Sequence, residues 1–216
     1  MAPKLYMTIA SPPVRAVLMC ARAIDLELEF IEVDFSNGDH LKPEYVKINP
    51  LHTVPTLDDD GLIVSDSHAI MGYLIGKYAK DKSLYPTDVV KRALIDQRLY
   101  FDAGILFARH LRVALAVLLG GQKVIPKENS SAVEEAYGFL ETFLKDSKYV
   151  AGDSLSIADF SIINTITNAR ELVPLDDTKY PNIAAWRKTL EPLPYYEINT
   201  EGSTLFRAFV QNALST

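Results

Sequence analysis

The chain has 216 residues, enough for one large or two modest domains with cores of their own. Its 28 acidic and 22 basic residues leave a net charge of −6, which argues against nucleic acid as the main partner, because phosphate binding needs clustered Lys and Arg. A single cysteine, Cys20, excludes an intramolecular disulfide, a paired-cysteine redox motif and a structural zinc site, so no metal is expected. No apolar stretch approaches the ~18–20 residues of a membrane span, so no membrane partner is expected.

Taken in chain order, Leu5-Tyr6-Met7 reads as a first strand. Pro12-Pro13 then opens a helix that carries Val14, Val17, Leu18, Ala21 and Ile24 at helical spacing. The same two prolines interrupt any signal-peptide apolar core. Leu28 to Val33 reads as a second strand, and Leu41 to Ile48 as a short helical piece closed by Asn49-Pro50. Thr53-Val54-Pro55-Thr56 suggests a strand entered through a proline turn, where a cis peptide costs only about 0.5–1 kcal/mol. Leu57, the turn Asp58-Asp59-Asp60-Gly61 and the return Leu62-Ile63-Val64 form a hairpin. Asp66 and Ser67 stand at the head of a helix bearing Ile70, Tyr73, Leu74 and Tyr78. This β-α-β-α-β-β-α order is that of a thioredoxin-like α/β domain, expected over residues 1–80.

Residues 81–88 are polar, contain Pro86 and read as a linker. Residues 89–216 read as an all-α domain. Val89 to Leu119 is a long run without proline, in which Gly104 is a plausible bend. Ser130 to Lys145 carries Val133, Ala136, Tyr137, Leu140 and Leu144 on one face. Ser156 to Leu172 opens on a capping box, with Ser156 as N-cap and Asp159 three residues on, serving folding and not chemistry.

Two places suggest chemistry. Free N–H donors at a helix N-terminus attract a carboxylate, so Asp66 and Ser67, beside the Val54 strand, make a pocket for a peptide-like ligand carrying both charges. Ser11 lies at the first strand-to-helix junction, either as an N-cap or as a hydroxyl offered to a ligand. Local sequence alone favours the cap.

The motifs Ser11-Pro12-Pro13-Val14-Arg15, Asn49-Pro50-Leu51-His52-Thr53-Val54-Pro55, Asp66-Ser67-His68-Ala69-Ile70 and Ser156-Ile157-Ala158-Asp159 share an order and spacing. In these the whole chain resembles the cytosolic glutathione transferases. Ser-Pro-Pro, Asp-Ser-His and Leu99-Tyr100-Phe101-Asp102 are similar to the insect delta/epsilon group, and Gly38-Asp39-His40-Leu41-Lys42-Pro43 leans toward epsilon. The resemblance implies the glutathione transferase fold, glutathione as co-substrate, and a cytoplasmic homodimer that conjugates small hydrophobic electrophiles in a detoxifying role. It also suggests a glutathione peroxidase activity. A non-catalytic ligandin-like protein and an enzyme dedicated to one endogenous substrate stay open as alternatives.

A glutathione thiol of pKa about 8.5 is only ~3% ionised at pH 7. Lowering that pKa by roughly two units takes about 2.7 kcal/mol of preferential thiolate binding. One hydroxyl hydrogen bond to an ionised acceptor supplies about 1.5–3 kcal/mol. The resemblance assigns that task to Ser11, helped by the dipole of the helix that follows, with Tyr6 as a rival. It assigns the glutamyl end to Asp66, Ser67 and His68, the cysteinyl backbone to Val54 and Pro55, and the glycyl carboxylate to His40 and His52, with Lys42 a lesser candidate. The electrophile site is expected at Ala10, Pro12, Leu111, Arg112, Leu115, Leu119 and Phe206. Arg109 competes with Arg112, His110 adds a preference for anionic groups at low pH, and the leucines can equally be core. Asp102 is expected to reach the glutathione amine of a partner subunit, with Tyr73, Tyr78, Tyr100 and Phe101 left for the dimer interface.

Overall fold

The computed structural model describes residues 2–215. Four strands, β1 (Lys4–Met7), β2 (Glu29–Glu32), β3 (Thr56–Asp59) and β4 (Leu62–Ser65), form one mixed sheet in the order β2-β1-β3-β4. β1 runs parallel to β2, antiparallel pairs join β1 to β3 and β3 to β4, and Tyr6 lies opposite Thr56, which lies opposite Ser65. Helices α1 (Pro12–Ala23), α2 (Pro43–Ile48) and α3 (Ser67–Tyr78) complete this half. α1 begins where Pro12 and Pro13 preset φ, and it buries Val14, Val17, Leu18 and Ala21. The short strand β2 is an edge, with Phe30 exposed.

The rest is helical: α4 (Val89–Phe101), α5 (Phe107–Leu118), α6 (Lys127–Phe143), α7 (Ile157–Ala169), α8 (Pro181–Leu190) and α9 (Glu197–Ser215). Every residue of α7 is buried, as expected of a helix surrounded by others. α1, α4, α5 and α9 all pack on α7, so one apolar core runs through both halves. The capping box forms as expected: the Ser156 N–H and hydroxyl both donate to the Asp159 carboxylate, at 2.9 and 3.0 Å. Asp159 also accepts from the Val150 N–H and the Trp186 indole, which makes it a structural hub.

Two expectations change. The run from Val89 is one long helical rod only in outline, because a wide turn spans Asp102–Leu106 and separates α4 from α5. Gly104 lies within it, but the anchor is Asp102, whose carboxylate turns inward to the Ser161 and Thr165 hydroxyls of α7. α6 starts at Lys127, because the preset φ of Pro126 begins it, and the Ser130 hydroxyl bonds back to the Lys127 carbonyl instead of capping. Among the described residues no helix is long and apolar enough to cross a membrane, and no three metal-binding side chains cluster.

Candidate active site

Strand register gathers the site. Because Tyr6 pairs with Thr56 and Thr56 with Ser65, the segments just beyond them meet at one end of the sheet. These are the turn to Ser11, the cis Val54-Pro55 peptide and the Asp66-Ser67 helix entry. Residues far apart in sequence are therefore neighbours because two antiparallel pairings end together.

Ser11 is the N-cap residue of α1 by position, in extended backbone, yet its side chain makes no capping bond. The following residues explain why. An N-cap oxygen usually accepts from the second or third helical N–H, and Pro12 and Pro13 carry none, leaving Val14 as the first available donor. The partly exposed hydroxyl is thus uncommitted. The same prolines thin the donor field of the helix end, because neither carries an N–H. Tyr6 instead lies in β1, its ring tilted against Tyr45 with centroids 5.6 Å apart.

The loop before β3 is held by two side chains. The Tyr45 hydroxyl donates to the Thr53 carbonyl, and the Asn49 amide donates to Thr53 O and Thr56 Oγ1, both at 2.9 Å. Val54 takes no backbone hydrogen bond among the described residues. His52 is exposed at φ 46°, and its ring centroid is 6.4 Å from that of His40. His40 stacks on Phe35 at 4.2 Å, and its Nδ1 is buried without a partner. Lys42 is paired with Asp39 at the surface.

Asp66 caps α3 through its own carboxylate, accepting the N–H groups of His68 (2.8 Å) and Ala69 (3.4 Å), while much of its side chain stays exposed. Ser67 is buried beside it. His68 bridges inward from this end: its Nδ1 lies 3.6 Å from the Asp66 carboxylate, and its Nε2 lies 2.7 Å from Ser161 Oγ, which donates to Asp102. A His68 N–H therefore donates to the serine, and the chain of bonds ends on a buried carboxylate. Burial disfavours the charged imidazole, but Asp102 and then Asp66 hold its pKa above the ordinary value.

α5 and its C-cap residue supply an apolar stripe: Leu111, Leu115 and Leu119 are 38%, 45% and 81% exposed, so they are surface and not core. Phe206 of α9 is buried edge-on against His110, a floor and not a wall. Pro12 is buried, and the Ala10 carbonyl accepts from Arg15. Arg109 is committed to Glu135 and the Ala132 carbonyl, and Arg112 is exposed and shares with it a recess against α6.

Family models named for the glutathione S-transferase N-terminal and C-terminal domains match residues 5–82 and 99–194. Glutathione S-transferase 1 of Manduca sexta is 43% identical over 215 residues, covering 98% of each chain.

The chain belongs to the glutathione S-transferase family.

Among solved structures, an epsilon-class transferase of the housefly Musca domestica shares 46% identity with a TM-score of 0.95, covering 98% of each chain. A glutathione transferase homologue of Drosophila mojavensis, solved with bound glutathione, shares 48% identity with a TM-score of 0.95, covering 98% of this chain and 97% of that one. The chain is thus an enzyme of the insect delta/epsilon group of glutathione transferases.

The geometry bears on several expectations for this transferase. Asp102 is only 2% exposed and its Oδ2 accepts from the Ser161 and Thr165 hydroxyls of its own chain, while its Oδ1 is buried without a hydrogen-bond partner among the described residues. His110 is buried, and burial first, then the charge of Arg15, pushes its pKa down to about 4; it carries no low-pH preference on the cleft surface. His68 points its Nε2 at Ser161 while its Nδ1 stays 3.6 Å from the Asp66 carboxylate. Sequence reasoning also missed Leu205 and Phe209, exposed apolar residues of α9, and the buried polar set Arg15, Asn164 and Asn168. The signal was there in Asn164 and Asn168, four apart and so on one face of a helix that also carries Ile162, Ile163 and Ile166.

Proposed function

We propose that this enzyme transfers glutathione to small hydrophobic electrophiles, with Ser11 stabilising the thiolate. The observation that carries the reading is the Ser11 hydroxyl, left without a capping role at the sheet end where Val54 and Asp66-Ser67 converge. The thiol loses its proton to solvent, Ser11 O–H donates to the sulfur, and the thiolate attacks. On an aryl halide the sulfur–carbon bond replaces the carbon–halogen bond and halide departs. On an unsaturated carbonyl the sulfur adds and the enolate takes a proton from water. With a hydroperoxide, two glutathiones supply two electrons and leave as the disulfide, while the peroxide leaves as alcohol and water.

Asp66 and Ser67 would hold the glutamyl end, Val54 the cysteinyl backbone, and His40 and His52 the glycyl carboxylate. The exposed Leu111, Leu115 and Leu119 favour a broad, apolar electrophile range, since apolar pockets discriminate by only ~1–3 kcal/mol per methylene. Such a range suits detoxification. A cytosolic setting supplies the reduced thiol, and a homodimer would cover the exposed Val89, Val90, Leu94 and Tyr100 of α4. The test is a rate panel of aryl halides of increasing size, unsaturated carbonyls and organic hydroperoxides with glutathione. Broad turnover supports the reading. Glutathione binding without turnover of any of them would turn it toward a carrier protein.

A further inference from the structure

Arg15 is fully buried, one helical turn into α1 behind Ser11. Its side chain donates to Asn164 Oδ1 at 2.9 Å, Asn168 Oδ1 at 2.7 Å and the Asn164 carbonyl at 3.4 Å, and to the Ile9 and Ala10 carbonyls at 3.1 and 2.9 Å. Its own N–H takes the Ser11 carbonyl at 3.1 Å. Three consecutive carbonyls of the turn carrying Ser11 are therefore held by this one residue. Every acceptor is neutral, whereas a buried cation is ordinarily matched by a carboxylate.

The surroundings leave the charge uncompensated. α7 offers only Asn164 and Asn168, α3 an apolar face of Ile70, Met71 and Leu74, and α9 the backbone at Gly202. On α5 the titratable neighbour is His110, whose ionisation Arg15 opposes and Asp102 favours. Burial alone, with no neighbouring anion, lowers the pKa of Arg15 to about 9. Gly202 presses so closely that a Cβ there would stand 2.2 Å from Ile9 O and 2.4 Å from Arg15 Cδ.

We propose that Arg15 is a positioning residue for the thiolate centre, fixing the Ile9–Ser11 turn and leaving one unneutralised positive charge behind it that favours the ionised sulfur. Resting on the transferase reading above, this adds a second source of thiolate bias. It also accounts for the absence of a counter-ion: a carboxylate beside Arg15 would cancel the field at the sulfur. Held carbonyls likewise have their negative ends compensated, so the turn does not oppose a nearby anion.

Asn168→Asp tests the charge, since it is nearly isosteric and sets a carboxylate on the Arg15 guanidinium. Its one lost bond is the 3.3 Å contact to Ala10 O, which Arg15 still holds. The readout is the pKa of bound glutathione, from ultraviolet thiolate absorbance against pH, together with the pH profile of kcat/KM. Expected is a rise of about half to one unit, up to about tenfold less thiolate at fixed pH, with an undiminished melting temperature. A folded variant with the wild-type thiol pKa overturns the electrostatic part. Arg15→Lys keeps the cation with fewer bonds. It should hold the thiol pKa and lose turnover, and full wild-type turnover overturns the positioning part. If Asn168→Asp does not fold, the thiol pKa of Arg15→Lys decides the electrostatic part: a value unchanged supports it, and a rise to that of free glutathione overturns it. A wild-type enzyme that leaves the bound thiol at its free pKa would defeat the Ser11 reading itself, an outcome distinct from both.

Discussion

Ser11→Ala removes one hydroxyl and, because that hydroxyl caps nothing, should leave the fold intact. Loss of a hydrogen bond to an ionised sulfur, about 1.5–3 kcal/mol, lowers turnover at neutral pH roughly ten- to a hundredfold and moves the apparent pKa of the rate upward. Glutathione affinity by calorimetry should change little, and a wild-type pH–rate profile would move the role to Tyr6. Two histidines should give pH effects of opposite sign. His110 has its folded pKa lowered from 6.5 to about 4, so the unfolded chain binds more protons between those values and stability falls as pH drops through them. The full effect is on the order of 3 kcal/mol, and His110→Leu should lose that acid sensitivity in urea titrations at pH 7 and pH 4. His68 has its folded pKa raised, so its contribution is complete below the unfolded value and is lost as pH rises through the folded one.

At the scale of elements, the glycines of α9 and of the turn after α4 predict opposite outcomes. Gly104 has nothing within 4 Å of a built Cβ, so Gly104→Ala should stabilise by about 0.5–1 kcal/mol through helix propensity. Gly202→Ala meets the Ile9 carbonyl and Arg15, and overpacking of that kind costs about 1–3 kcal/mol. It should also reduce turnover, because the displaced atoms belong to the Ser11 turn. Denaturant midpoints and initial rates check both. Asp159→Ala strands the Trp186 indole, the Val150 and Ser156 N–H groups and the Ser156 hydroxyl, and is expected to cost about 3–5 kcal/mol without changing the pH profile of the rate.

For the whole molecule the remaining question is assembly. Tyr73 and Tyr78 are half-buried and donate their hydroxyls to Asp59, and Phe101 is buried edge-on against Phe143, which takes Phe101 out of the exposed surface. Exposed apolar residues include Val89, Val90, Leu94 and Tyr100 on α4 and Leu62 and Ile63 on β4. The homodimer proposed above would cover those of α4. Sedimentation at micromolar concentration should give a dimer mass, and Val90→Glu should shift it toward monomer. A monomer in the wild type would refute the assembly.

What the sequence by itself determined lies in local rules. Proline pairs start α1, β-branched residues around Val54-Pro55 mark the cis turn, and Ser156 with Asp159 caps α7 through contacts three residues apart. The gathering of Ser11, Val54 and Asp66-Ser67 followed from the family motifs, and strand register supplies its physical cause. The direction a side chain takes when several partners compete was decided only in the tertiary structure. Asp102 turned to Ser161 instead of outward, His68 followed it, and Arg15 was drawn into α7 by two asparagines about 150 residues away. The leucines of α5 and its C-cap show the same division. Helical spacing put Leu111, Leu115 and Leu119 on one face, but spacing is identical for a core stripe and a cleft wall, and only the packing of α6, α7 and α9 around the other faces left this one open.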